Sequence, residues 1–209
     1  MALALGSSAT AGGQVSGPQL HVHLYNLTGV LSGTLDRATI ETARIFANIN
    51  VDIVWELGDP DAEEAHTTDQ TSSASARALN TREHKVRSYL VVRIGRGMAG
   101  HTPAGALGSS LPDAQYGVSA TIFEDRIEGL WESNGTDLAV VLGHAIAHEL
   151  GHVLLGSAEH SSMGIMRAHW GKADFDQAAM GRLGFTAQQA ARIRNYGGLL
   201  AASQAVRQR

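Results

Sequence analysis

The sequence predicts an α+β domain, a twisted mixed sheet with helices packed on it and one long apolar helix among them. Three observations carry this expectation. Short runs rich in Val, Ile, Leu and Tyr recur at 21–25, 51–57 and 88–94, and each closes on Asn26, Gly58 or Gly95. A stretch with helical apolar spacing separates the first two runs. Residues 136–155 are predominantly apolar over the length of a helix.

The elements follow in order. Met1 to Gly17 is rich in Gly, Ser and Ala and reads as a flexible N-terminal arm, with no basic region of the kind a signal peptide carries. A strand spans His21 to Tyr25 and turns at Asn26–Gly29. Thr34 can cap a helix that runs to Asn48, with Ile40, Ala43, Ile45, Phe46 and Ala47 forming much of its apolar side. Val51 to Leu57 forms a second strand, so the three together suit a parallel crossover unit. Asp61 to Glu83 is polar and aperiodic and reads as a surface loop, with room for a short helix at 73–79. Ser88 to Ile94 is a third strand. Gly95 to Gly108 holds repeated glycines and reads as a long loop. Ala114 to Ser119 is expected to contribute to an edge strand, and Ser119 to Asp125 a further strand. Thr136 to Leu155 is the strongest helix, capped by Thr136 or Asn134 and stopped by Gly156. A helix follows near 175–182, then a C-terminal helix from Thr186 to about Tyr196. Residues 18–200 make one domain, and 201–209 a frayed tail.

Composition bounds what such a domain can do. The chain has 209 residues, 44 % hydrophobic and 17 % charged, enough for one packed core. A net charge of -4 argues against nucleic acid as a partner. No uninterrupted apolar run approaches the ~18 residues of a membrane span. There is no cysteine, which removes thiol nucleophiles, disulfides and Cys-ligated metals together. The compartment stays open, with a secreted or periplasmic location the expectation; a monomer is the default. Neither a G-x-S-x-G elbow nor a G-x-x-x-x-G-K-[ST] phosphate loop is present.

Chemistry enters inside the strongest helix, where His148-Glu149-Leu150-Gly151-His152 spells HExxH. Residues four apart lie one turn up on one helix face, so two imidazoles can converge on a cation. Glu149, beside the first ligand, can serve as general base toward water at that cation. Zinc fits best, since it takes nitrogen ligands and three of them leave a position for water. A random chain of this composition contains the motif only about 2 % of the time. A third ligand is required. Glu159 is the only Glu after Glu149 and lies too close to sit on a separate ligand helix. Asp174 and Asp176 remain carboxylate candidates. His160 is the better one, because Gly156 turns the chain and leaves His160 free to swing back. His144, one turn before His148, reads as a satisfied buried histidine. His21 and His23 read as surface residues.

His148 to Met166 reads HELGHVLLGSAEHSSMGIM and resembles the metzincin metallopeptidases, whose pattern is H-E-x-x-H-x-x-G-x-x-H followed by a Met-turn. The match runs through Gly156, His160-Ser161 and Gly164-Ile165-Met166. This sequence carries one extra residue before the glycine and one after it. The resemblance implies a zincin-like fold in a divergent bacterial branch, a zinc cofactor on His148, His152 and His160, and Glu149 as catalytic base. It implies that Met166, rather than Met163, forms an apolar floor under the metal, and that the substrate is an extended peptide or protein cut by an endopeptidase. It also gives Gly105, Ala106, Leu107 and Gly108 a role as a backbone rim for that substrate. Arg167, His169 and Trp170 are plausible liners of the same cleft.

Overall fold

The structure is a computed structural model, and it describes residues 17–58, 90–97, 106–111 and 118–207. The expectations for the N-terminal arm, the polar loop at 61–83 and Gly105 lie outside those residues.

Five strands form one sheet: β1 (Gln19–Asn26), β2 (Asp52–Leu57), β3 (Leu90–Gly95), β4 (Gly108–Leu111) and β5 (Val118–Phe123). Their order is β2-β1-β3-β5-β4. The first four neighbours run parallel and β4 alone is antiparallel, against β5. β1 shows why the sheet has an inside. Leu20, Val22 and Leu24 are buried, and His21, His23 and Tyr25 alternate on the other face. His21 and His23 both meet Glu56 across the strand pair, at 3.2 and 3.1 Å, which satisfies them as part-exposed surface groups.

The helices are α1 (Ser32–Ala47), α2 (Glu124–Asn134), α3 (Leu138–Leu155), α4 (Lys172–Ala179) and α5 (Ala187–Arg207). α3 is the hub, touching α1, α2, α4, α5, β4 and β5. It is 18 residues long with a mean hydropathy of 1.5 and is 83 % buried inside the protein. Its length and composition alone would suffice to cross a membrane. Gly143, His144, His148, Glu149, Gly151 and His152 interrupt its apolar residues, so a count of consecutive ones understates it. Its closest neighbour is α1. A Cβ on Gly143 would stand 2.8 Å from the Ala38 carbonyl oxygen, so the glycine sets how near the two helices lie. Thr42 fixes the same crossing with a hydroxyl bond to the Gly143 carbonyl.

Four expectations need correction. The edge strand is Gly108–Leu111, not 114–119; of that span, residues 114–117 lie outside the described residues and Val118 and Ser119 belong to β5. α3 is capped by Asp137, whose side chain accepts the Ala139 N–H, instead of Thr136 or Asn134. α1 starts two residues before Thr34, with no side-chain cap. The C-terminal helix continues past Tyr196 to Arg207: Gly197 sits against Pro18 and Leu20, and packing on β1 outweighs the weak helix propensity of the glycine pair. α2 was not foreseen. It starts directly from β5 without a Gly or Pro boundary, and it ends at Gly135 in the left-handed region, φ 66°.

Candidate metal centre

α3 delivers His148, Glu149 and His152 to one place, all three buried to within 7 % of full burial. Gly156 ends the helix at φ 60°, where only glycine is unstrained, and sends the chain back across the helix end. His160 then arrives beside His152. The Nε2 atoms of His148 and His152 are 3.1 Å apart, and those of His152 and His160 are 3.3 Å apart. One ligand atom from each of the three residues lies within 4.8 Å of the other two. One of the motif's two extra residues falls in the last turn of α3, before Gly156, and the other in the segment 157–159, which also supports His152. The Ser157 carbonyl accepts the Nδ1–H of His152 at 2.8 Å.

His148 is held in the same manner, its Nδ1–H donating to the Ile165 carbonyl at 2.7 Å. A carbonyl can only accept, so both rings carry their proton on Nδ1 and present bare Nε2 lone pairs inward. Burial keeps them neutral: it holds His148 down to about 4 and lowers His152 as well. Lone pairs converging at such distances repel unless a cation lies among them. Tetrahedral zinc with Zn–N near 2.05 Å would hold its nitrogens about 3.3 Å apart, close to the two separations made by His152. The donor set therefore fits zinc, with no protein side chain required in the fourth position.

Glu149 lies against the edge strand. A Cβ on Gly108 would meet its Cγ at 2.7 Å and the Thr121 carbonyl oxygen at 2.5 Å, so this site needs glycine. Burial pushes the Glu149 carboxyl up to about 7, while a hydrogen bond from the Ser110 side chain pulls it back. Met166, 1 % exposed, packs against α3 at Gly151. Its sulfur fills the space that a Cβ on Gly151 would occupy at 2.5 Å, so the motif glycine makes room for it. The turn carrying Met166 is closed by the Ser161 N–H bonding the Met166 carbonyl at 2.8 Å. Met163, by contrast, is exposed.

The carboxylate alternatives for a third ligand are occupied elsewhere. Asp174 takes both Arg167 and the Gly171 N–H at the start of α4, and Asp176 pairs with Lys172 on the surface. His144 is fully buried, with its Nδ1–H on the Val140 carbonyl at 2.8 Å, and is absent from the cluster.

The cluster floors a cleft of about 580 Å³. Ala106, Leu107, Gly108, His169 and Trp170 are among its lining residues. Sequence reasoning missed Ser109, Ser110 and Leu130 in its walls. Leu130 was missed along with its helix, although Ile127, Leu130 and Trp131 carry helical spacing.

No protein-family model and no curated protein matches the chain. Solved structures do. A zinc-dependent peptidase from Methanocorpusculum labreanum superposes with a TM-score of 0.52 at 14 % identity, over 82 % of this chain and 99 % of that one. Metalloproteinase-II from Bacteroides fragilis gives 0.49 at 13 % identity over 88 % of this chain, which spans only 55 % of its length. The archaemetzincin from Methanopyrus kandleri gives 0.45 at 13 % identity, over 86 % and 96 %. The fold is zincin-like.

Proposed function

We propose that this zincin-like chain is a zinc-dependent metallopeptidase that hydrolyses peptide bonds with Glu149 as its base. The observation that carries the proposal is the convergence of three imidazole Nε2 atoms at the floor of an open cleft, with a buried carboxylate one residue from the first of them. A bare structural zinc site has no use for that carboxylate.

His148, His152 and His160 would hold the ion. Bound there, zinc would supply a Lewis acid that polarises the scissile carbonyl and acidifies water. The chain's own residues do the rest. Glu149 accepts the proton of the attacking water and returns it to the leaving amine. Its position is fixed by Gly108, which leaves space for it, and by Ser110, which bonds it. A carboxyl near 7 is suited to both steps, though a dication beside it would draw that value down. Met166, packed at Gly151 between the two motif histidines, would serve as the apolar floor of the site. β4 is the outermost strand among the described residues, and its outer edge can pair with an extended peptide, which favours endopeptidase action.

A second reading keeps the fold and the metal but makes the cleft a binding module without catalysis. One experiment separates them. The purified chain is offered a mixed peptide library, with chelator, with zinc restored, and as Glu149→Gln. Cleavage is expected to disappear with chelator, return with zinc, and fall at least a hundredfold in the variant while zinc stays bound. Cleavage that survives Glu149→Gln contradicts the assigned base. No cleavage by the zinc-loaded chain favours the binding module.

A further inference from the structure

We infer that Trp170 is a positioning residue for the metal centre, holding the imidazole of His148 through the Ile165 carbonyl and so setting how tightly the site takes its ion. This rests on the zinc reading above.

The Ile165 carbonyl oxygen serves two donors. His148 Nδ1–H reaches it at 2.7 Å and the indole Nε1–H of Trp170 at 3.1 Å. A carbonyl has two lone pairs, and here both are taken, by side chains arriving from different elements. The same residue is anchored from its other side, where its N–H donates to the Gly184 carbonyl at 2.8 Å. Ile165 is itself fully buried.

Trp170 also touches the ligand directly. Its ring meets that of His148 edge-on, with centroids 5.8 Å apart and planes at 81°. Phe175 backs the indole from α4 in a similar arrangement at 6.2 Å, and His144 does so from α3 at 6.3 Å. One face of His148 therefore rests on a ring that is held by three contacts of its own. The indole half-lines the cleft, yet its polar end points into the turn that carries Met166.

Ligand histidines depend on the partner of their second nitrogen for tautomer and ring angle. In this site that partner is a main-chain carbonyl, free to tilt unless a second donor pins it. Without the indole N–H the oxygen keeps only His148, and ring and carbonyl can rotate together. The Nε2 of His148 then leaves the direction in which it faces His152 and His160.

The test measures zinc affinity of the full chain by competition with a chromophoric chelator, together with the cobalt(II) ligand-field spectrum. Three proteins are compared: the unaltered chain, Trp170→Phe, and a chain with β-(3-benzothienyl)alanine at 170. The last keeps the fused ring and deletes only the N–H. The unaltered chain should bind one equivalent. Both altered chains should bind zinc roughly ten- to a hundredfold more weakly, with a shifted cobalt spectrum. The chelated benzothienyl chain should melt within a few degrees of the chelated unaltered chain. Affinity within twofold of the unaltered chain, for the benzothienyl chain, overturns the inference and leaves the zinc reading intact. Loss of affinity only in proportion to lost fold stability also overturns it. Failure of the unaltered chain to bind zinc overturns the zinc reading itself.

Discussion

Two buried groups one position apart are pushed in opposite directions, and this has a measurable consequence. In the chelated protein, His148 titrates near 4, below its ordinary 6.5, and Glu149 near 7, above its ordinary 4.5. Between about pH 4 and 6.5 the unfolded chain binds a proton at His148 that the folded chain does not, so stability rises with pH. Between about 4.5 and 7 the folded chain keeps a proton on Glu149 that the unfolded chain has lost, so stability falls as pH rises. Each effect is worth about 3 kcal/mol over its window. They oppose each other, with the lowered His152 adding to the rise. Chelated wild-type protein should show a shallow rise in denaturant midpoint from pH 4.5 to 6.5. Chelated Glu149→Gln, which lacks the opposing group, should show a steep one. Equal slopes contradict the burial assigned to Glu149. At this scale, the identities of His148, Glu149 and His152 were legible, because i, i+4 spacing on a helix is a property of sequence. Their orientation was not. It depends on the carbonyls of Ile165 and Ser157, main-chain groups that every residue has.

The strands and the long helix were legible because β-branched runs and apolar periodicity are local signals. β4 was not: Gly108-Ser109-Ser110-Leu111 has no strand-forming run. It pairs because β5 offers an edge and because small residues let Glu149 approach from beneath. Likewise, the cap of α3 was misjudged by one residue, since Thr136, Asp137 and Asn134 are all plausible caps and only the backbone chooses among them. The end of α3 was read correctly and can be tested. Gly156 has φ 60° and no atom near its missing Cβ, so Gly156→Ala introduces strain without a clash. The expected cost is about 1–2 kcal/mol in unfolding experiments. Because this turn leads to His160, zinc affinity should fall as well. Unchanged stability and affinity would show that the turn is less constrained than its dihedral implies.

Across the whole molecule, the site lies where the hub helix meets the sheet edge and the turn at 156–170. One helix, buried on nearly all sides, carries two of the candidate ligands and the proposed base, and α1 clamps it through Gly143 and Thr42. The third candidate ligand comes from a loop that the helix terminus aims. This division explains what the sequence could reveal. The helix announces itself, while the placement of His160 follows from chain geometry after Gly156. The absence of cysteine left only nitrogen and oxygen donors for a transition metal, and the structure takes Asp174 and Asp176 out of contention by pairing them elsewhere. The most direct test of the central claim is anomalous diffraction at the zinc edge from crystals of the zinc-loaded chain. The account predicts a single strong peak about 2.0–2.1 Å from the Nε2 atoms of His148, His152 and His160, with an open position toward Glu149. A peak ligated by a carboxylate in place of His160, or no peak among these three imidazoles, would contradict it.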